Sequence, residues 1–242
     1  MVHVWLDGLL NPIMLNADFA RFANGHSHPK MAISTEKFAP CHEGARKMSE
    51  SLDEFLASYN FSFRLECFRF LGNLLLAQNR PILMIETGSM RPNPDPSGDG
   101  QSTLVWDWIA NKTSGMCYSV DVNPLHTQYT HNRVSDRTQA VTMDSLKFLS
   151  CMAPERTIDM VYLDSMDWEG SDLRKMESSL HHAGELAAAW PFLGPGGIVA
   201  VDDCAGRYLG KQALVECFFN LLKVGPIMEG PIFAWQKPCP VI

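Results

Sequence analysis

The chain has 242 residues, of which 46% are hydrophobic and 19% are charged, a composition that suits one globular domain with a substantial core. Its formal net charge of −7 at pH 7 argues against a nucleic-acid-binding surface, which is normally basic. No apolar run approaches the roughly 20 residues that a membrane-spanning helix needs.

The N-terminal sequence and the cysteines indicate the cellular compartment in which we expect the protein. The stretch MVHVWLDGLLNP has Asp7 inside its short apolar run and no basic lead, so it makes a poor signal peptide. The seven cysteines are odd in number and include no C-x-x-C pair, which is most simply explained by reduced thiols. We therefore expect a cytoplasmic protein with no nucleic-acid or membrane partner.

The first quarter of the chain differs from the rest. Residues 1–40 are irregular and rich in Pro, His and Asn, and helical patterns follow over 43–58 and 62–78. We expect residues 1–60 to form an arm and helix that serve as a lid or an oligomer contact. Residues 61–242 would then form the main domain.

From residue 82 onward, apolar strand-like runs alternate with helical patterns. Buried parallel strands read as continuous apolar runs, and helices normally connect them. The alternation predicts an α/β fold with one doubly wound, mostly parallel sheet and helices on both faces. The predicted strands are 82–86, 117–121, 139–143, 158–163 and 197–202, and the predicted helices are 102–111, 124–132, 144–151, 172–191 and 206–222.

Acidic residues close or follow all five predicted strands. Ligands of open α/β sheets bind outside the carboxyl ends of the strands, so these acids would build one acidic rim. Helix capping is the alternative explanation, because Asp is a frequent N-cap residue, and it is strongest for the acid in TMDSLKFL. The acids are Glu86, Asp121, Asp144, Asp164, Asp202 and Asp203.

The loop after the first strand, in PILMIETGSMRPNPDPSGDGQST, restricts the chemical class of ligand that could bind there. It contains neither the P-loop pattern nor G-x-G-x-x-G, and Arg91 is its one basic residue. A ligand with ribose hydroxyls and an ammonium group but no phosphate fits better, since Asp121 can accept hydrogen bonds from both ribose hydroxyls. S-adenosylmethionine is such a ligand.

Residues 82–203 resemble a class I S-adenosylmethionine-dependent methyltransferase. The segments that carry the resemblance are MIETGS, VDVN, VTMDSLKFL, IDMVYLDS and PFLGPGGIVAVDD, of which the last is the most specific. The resemblance implies a Rossmann-like sheet of seven strands. The short runs GPIMEG and PIFAWQK within 225–238 would supply its reversed seventh strand and that strand's partner.

The resemblance also implies the cofactor contacts. The family's E-x-G-x-G-x-G is interrupted after Gly88 by SMRPNPDPS, an insert that we expect to fold over the cofactor or the acceptor. The implied cofactor-binding residues are Glu86, Thr87, Gly88, Ser89, Gly100 and Ser102 around the first loop, Asp121 at the ribose, Asp144 and Ser145 at the adenine, and Asp164.

A divalent metal is a further expectation. In catechol-type O-methyltransferases, acids at the ends of the fourth and fifth strands and the next residue bind a metal, and Asp164, Asp202 and Asp203 resemble that triad. Neighbouring carboxylates repel one another unless a cation or protons intervene, and carboxylate oxygens suit Mg²⁺. The alternative is that Asp164 faces only the cofactor while the other two cap the next helix.

The general base is left open. The catechol-type pattern has a lysine three residues after the fourth-strand acid, and this chain has Asp167 there. The candidate catalytic residues are therefore Asp164, Asp167, His181 and His182. Paired histidines on a helix are also commonly packing or surface residues.

These residues predict an S-adenosylmethionine-dependent O-methyltransferase. Its acceptor would be a hydroxyl of a small molecule, such as a sugar or a natural product, with Mg²⁺ as a candidate second cofactor. A hydroxylase or another non-methylating enzyme on the same scaffold is an alternative. A non-catalytic binding subunit is another, and a homo-oligomer formed through the N-terminal segment is left open. An NAD-dependent oxidoreductase ranks last, because its glycine fingerprint is missing.

Overall fold

The computed structural model of the protein describes residues 51–92, 101–152 and 157–239, which all belong to one compact unit within 41–242. Its strands are β1 (Leu83–Thr87), β2 (Met116–Asp121), β3 (Thr138–Thr142), β4 (Ile158–Leu163), β5 (Leu193–Val201) and β6 (Phe233–Gln236). They form one sheet in the order β3-β2-β1-β4-β5-β6. The first five strands are parallel and β6 is antiparallel to β5. The predicted doubly wound, mostly parallel sheet is confirmed.

The helices of the described residues lie between and before these strands. They are α1 (Leu52–Ala57), α2 (Leu65–Leu76), α3 (Ser102–Thr113), α4 (Pro124–His131), α5 (Ser145–Cys151), α6 (Asp172–Ala189) and α7 (Ala213–Leu221), with a 3₁₀ turn at Ser62–Arg64. The bounds of β1 to β4 agree with the predicted strands within one residue, and those of α3 to α6 agree with the predicted helices within two. Of the predicted helix 43–58, residues 43–50 lie outside the described residues.

Two apolar clusters cover the two faces of the sheet. Successive residues of a strand point to opposite faces. Accordingly, Met84 of β1 and Met160 of β4 pack with α1, α2 and α3. Ile85 and Val161, the next residue of each strand, pack instead with α5, α6 and α7. The helices packed on both faces of the sheet hold the carboxyl ends of the strands in fixed positions.

The predicted seventh strand is wrong for the described part of the chain, where the sheet has six strands. Of the run GPIMEG, Met228 forms an isolated antiparallel bridge with Ala234 of β6. Pro226 and Pro231 lie on either side of Met228, and neither has an amide hydrogen to donate to a ladder. The pairing therefore stops at one bridge.

The predicted helix 206–222 is also too long at its start. The helix α7 begins at Ala213, because the chain first makes a turn in which Gly206, Tyr208 and Gly210 have φ of 111°, 59° and 106°. These left-handed conformations are incompatible with a helix. The turn places Lys211 near the ends of β4 and β5, with consequences for the site.

No helix in the described ranges combines the length and the apolar character that crossing a membrane requires.

Gly115, which lies between α3 and β2, packs closely against the backbone of Ile82, the residue before β1. A Cβ at this position would lie 2.1 Å from the carbonyl oxygen of Ile82 and 2.7 Å from its nitrogen. We expect Gly115→Ala to lower the free energy of unfolding by about 2 kcal/mol or more, because backbone atoms must move. Urea unfolding measures this. Gly225→Ala is the matched control, since an added Cβ there would meet no atom of residues 51–92, 101–152 or 157–239 within 4 Å. Equal effects of the two substitutions would contradict the explanation.

Candidate active site

A cleft of about 270 Å³ opens at the carboxyl ends of β1, β2, β4 and β5. This is the edge at which the sequence predicted an acidic rim, next to the reversal of strand order between β1 and β4. The described residues that line it are Gly88, Ser89, Arg91, Ser102, Asp121, Val122, Asn123, His126, Asp164, Ser165, Asp167 and Asp203.

The turn after β1 forms one wall of the cleft. Gly88 has a φ of 91°, and its amide donates to the carbonyl of Val120 at 2.7 Å. A Cβ on Gly88 would lie 2.5 Å from the carbonyl oxygen of Asp164, so a side chain would push β1 and β4 apart. Thr87 is buried, and its hydroxyl accepts from the Asp164 amide at 3.2 Å.

Glu86 lies behind this wall and is buried. Its carboxylate accepts hydrogen bonds from the hydroxyls of Ser102 at 2.6 Å, Thr103 at 2.5 Å and Ser119 at 2.7 Å. These bonds tie β1 to β2 and to the start of α3, and they fix Ser102 at the cleft. Burial raises the pKa of Glu86 to about 7, although the three hydroxyl donors act in the opposite direction.

Asp121, at the end of β2, lines the cleft with an oriented carboxylate. Oδ1 accepts from the Asn123 amide at 2.8 Å, and Oδ2 accepts from the Ser89 amide at 3.0 Å. Nδ1 of His126 lies 3.1 Å from Oδ2. The two backbone amides fix the carboxylate between the turns that follow β1 and β2.

The residues predicted at the adenine lie further away. Asp144 is the N-cap of α5, and its carboxylate accepts from the Lys147 amide at 2.9 Å. Ser145 is buried, with Oγ 3.1 Å from Nε2 of His181. Neither is among the described residues that line the cleft. Gly100 and the adjoining residues 93–99 of the insert lie outside the described residues.

The structure brings the predicted acidic triad together with two cations that sequence reasoning missed. Nζ of Lys211 lies 2.5 Å from Oδ1 of Asp164 and 2.9 Å from Oδ2 of Asp203. Nε of Arg64 donates to Oδ1 of Asp202 at 2.7 Å, and its Nη2 donates to Oδ1 of Asp203. The one available signal was Gly210 directly before Lys211, a helix breaker inside a segment predicted as helical.

The triad does not fit a divalent metal. Asp202 is fully buried, and its oxygens accept from Arg64, from the Asp203 amide at 2.7 Å and from the Tyr162 hydroxyl at 2.8 Å. Within residues 51–92, 101–152 and 157–239, no three His, Cys, Asp or Glu side chains are grouped to hold a metal ion. The carboxylates predicted to coordinate Mg²⁺ are instead paired with cationic side chains of the protein.

The charges of this cluster follow from burial and pairing. Burial alone lowers the pKa of Lys211, but the nearby carboxylates reverse the effect and raise it. Burial acts to raise the pKa of Asp203, but Lys211 and Arg64 bring it below its usual value. Burial raises the pKa of Asp164, with Lys211 opposing the shift. Lys211 is therefore a permanent cation at neutral pH.

The two histidines predicted as catalytic candidates lie outside the cleft lining. His182 is fully buried, with Nδ1 2.6 Å from the carbonyl oxygen of Ser178, and burial lowers its pKa to about 4. His181 has Nε2 3.4 Å from Oε1 of Glu185, and this hydrogen bond raises its pKa. Asp167, by contrast, lines the cleft and accepts from Nη2 of Arg91 at 2.7 Å.

Solved methyltransferase structures resemble this arrangement of strands and helices. The O-methyltransferase NovP is 16% identical, with a TM-score of 0.51 over 73% of this chain and 80% of its own. The MycE methyltransferase from the mycinamycin biosynthetic pathway, in complex with Mg, SAH and mycinamycin VI, is also 16% identical, with a TM-score of 0.50 over 70% of this chain. The chain has the methyltransferase fold.

The likeness to these structures is one of fold, which confirms the predicted class I methyltransferase architecture. This chain spans about half of the MycE chain, 48% of its length. No protein-family model matches the sequence, and no curated protein is detectably similar to it in sequence.

The pKa of Glu86 predicts a pH dependence of stability. The folded protein holds this proton up to about pH 7, whereas the ordinary carboxyl value is 4.5. The stability contributed by the bound proton is fully present below 4.5 and is lost as the pH rises through about 7. In Glu86→Gln this loss should be absent, so the variant gains up to about 3 kcal/mol relative to wild type across that range.

Urea unfolding between pH 4.5 and pH 8 measures the difference between wild type and Glu86→Gln. Glu169→Gln, at an exposed carboxyl, is the matched control and should follow the wild-type profile. Parallel profiles for wild type and Glu86→Gln would refute the assignment of a buried, protonated Glu86.

Proposed function

We propose that the protein is an S-adenosylmethionine-dependent O-methyltransferase that methylates a hydroxyl of a small molecule, such as a sugar or a natural product. The observation that carries the proposal is the cleft, in which the Gly88 turn and the oriented Asp121 carboxylate meet the acids of the β4 and β5 ends. The methyltransferase fold supports it, as does the MycE complex with Mg, SAH and mycinamycin VI.

The cofactor would be held by groups that already line the cleft. Asp121 is placed to accept the ribose hydroxyls, because its carboxylate is fixed by the Ser89 and Asn123 amides. The backbone of Gly88 and the side chain of Ser102 would border the methionine end. When bound, S-adenosylmethionine supplies a methyl group on a positively charged sulfur. The acidic lining favours a cationic ligand of this kind.

Asp164 is our candidate for the general base. Lys211 bonds to its Oδ1, and among the described residues no donor bonds to its Oδ2. The oxygens of Asp202 and Asp203 are all engaged by Arg64, Lys211, Tyr162 or a backbone amide. Asp164 also lines the cleft. Its Oδ2 is therefore the oxygen of the triad that remains to accept the proton of an acceptor hydroxyl.

Asp167 has a different position. It is more exposed than Asp164 and is paired with Arg91 at the cleft. We assign this pair to contact with the acceptor. A hydroxylated acceptor can hydrogen-bond to both the carboxylate and the guanidinium.

Calorimetry with S-adenosylhomocysteine, S-adenosylmethionine and NAD tests the cofactor class. We expect the first two to bind and NAD not to bind. A folded protein that binds neither of the first two would overturn the proposed function. Transfer of a labelled methyl group to a panel of hydroxylated small molecules then identifies the acceptor class.

Asp121→Ala tests the ribose contact. Loss of a carboxylate that accepts two ligand hydroxyls should weaken S-adenosylhomocysteine binding by about 100-fold, since charged hydrogen bonds contribute about 1.5–3 kcal/mol. Calorimetry on folded protein measures the change. Asp136→Ala, at an exposed aspartate, is the matched control and should bind as wild type does. An affinity of Asp121→Ala within twofold of wild type would remove this residue from the ribose site.

Asp164→Asn tests the base. The variant keeps the size of the side chain but cannot take up the hydroxyl proton, so kcat should fall by about 100-fold or more. Binding of S-adenosylhomocysteine should change far less. Steady-state kinetics with an acceptor from the panel, beside calorimetry, separates the two effects. If Asp167→Asn abolished turnover while Asp164→Asn retained it, the base would be Asp167 instead.

A further inference from the structure

We propose that Lys211 and Arg64 take the place of a divalent cation at the acceptor side of the cleft, so that this protein works without a bound metal. The inference rests on the proposed function for its catalytic meaning. The charge substitution itself stands on the geometry of the cluster formed by Asp164, Asp202, Asp203 and the two cations.

Lys211 bridges two carboxylates as a bound cation would. Its Nζ lies 2.5 Å from Asp164 and 2.9 Å from Asp203, and the side chain is fully buried. Burial of an ammonium is costly unless opposite charges pair with it. An ammonium is also a compact point charge with several donors, which suits a bridging position.

The turn before Lys211 is built to hold it there. Gly210 has a φ of 106°, and a Cβ on it would lie 2.9 Å from both the Asp203 carbonyl oxygen and the Ala205 nitrogen. Gly210 also forms an antiparallel bridge with Cys204, and its carbonyl accepts from the Ser179 hydroxyl at 2.9 Å. Lys211 is thus fixed by the backbone on both sides of the turn.

Arg64 neutralises the deeper part of the cluster. It is buried and donates to both Asp202 and Asp203. Asp202 does not belong to the described cleft lining, and the Tyr162 hydroxyl satisfies its other oxygen. Its carboxylate therefore faces the interior, where it would be a poor ligand for an ion that must also reach an acceptor.

The total charge leaves no place for a second cation. With all three carboxylates ionised, the two cations leave one net negative charge, and protonation of Asp164, whose pKa is raised by burial, would remove it. The side chains still open to the cleft are Asp164 and Asp203, which are 20% and 37% exposed. A divalent ion bound to these two carboxylates would lie within a few ångströms of Nζ of Lys211. Repulsion at such a distance is strong in a buried site, so an ion and Lys211 exclude each other.

Lys211 therefore acts as a positioning residue. It holds Oδ1 of Asp164 and leaves Oδ2 to receive the proton of the acceptor hydroxyl. As that proton transfers, the hydroxyl oxygen would form its bond to the methyl carbon, and the electrons of the broken carbon–sulfur bond would remain on sulfur. Because Asp164 accepts the proton of the hydroxyl, the step needs no metal-bound oxygen to accept it.

Direct measurement of metal binding tests the inference. The full chain is titrated with Mn²⁺, whose free form is counted by electron paramagnetic resonance. We expect no stoichiometric Mn²⁺ site in wild type. Lys211→Met leaves Asp164 and Asp203 without their bridging cation, so it should gain one site with at least tenfold tighter binding, and Mg²⁺ should compete for it.

Two variants serve as controls. Lys211→Arg keeps the positive charge and should still exclude Mn²⁺. Lys147→Met removes an exposed lysine and should behave as wild type. One Mn²⁺ site per wild-type chain that disappears in Asp203→Asn would overturn the proposal, as would a folded Lys211→Met that gains no site.

Wild type alone decides the question if Lys211→Met fails to fold. Methyl transfer by wild type should persist in excess EDTA, and chelator-sensitive transfer restored by Mg²⁺ would refute the inference. Failure of the proposed function is distinguishable. If the protein excludes Mn²⁺ but does not bind S-adenosylhomocysteine, the proposed charge substitution stands and the proposed methyltransferase function is refuted.

Discussion

The ion pairs that Lys211 and Arg64 make with three aspartates are the interaction on which the cleft depends. The aspartates stand at the ends of β4 and β5, where the backbone forces their carboxylates close together. Without compensation, like charges at such distances would splay the strand ends or take up protons. The two cations hold the acidic edge of the sheet together. The geometry of this edge is therefore fixed by the chain's own side chains.

The neighbouring strand solves the same problem by different chemistry. Among the described residues no cation lies beside Glu86, and three hydroxyl groups donate to its carboxyl group instead. Hydroxyls compensate burial less fully than an opposite charge does, which is why the pKa of Glu86 moves to about 7. The cleft thus has an acid with a pKa of about 7 behind the turn that follows β1, and a cluster of paired charges at the ends of β4 and β5.

The sequence predicted those features of the molecule that depend on local pattern. The apolar runs located β1 to β4, and the rule that ligands bind at the carboxyl ends of parallel strands located the cleft between Gly88, Asp121 and Asp164. The pairing of charges could not be read in this way. Lys211 lies 47 positions from Asp164, and Arg64 lies 138 positions from Asp202, so their contacts arise only from the tertiary fold. The expectation of a metal followed from seeing the acids without their partners.

The position of Arg64 also limits how far the chain can be truncated at its N-terminal side. It lies before α2, upstream of the segment 82–203 that carries the methyltransferase pattern, yet it supplies one of the two charges that neutralise the acidic cluster. A fragment trimmed to the recognisable pattern would leave Asp202 as a buried, unpaired anion beside the cleft. A fragment that keeps this charge pairing must therefore begin before Arg64, and it would include α2, the helix that follows this residue.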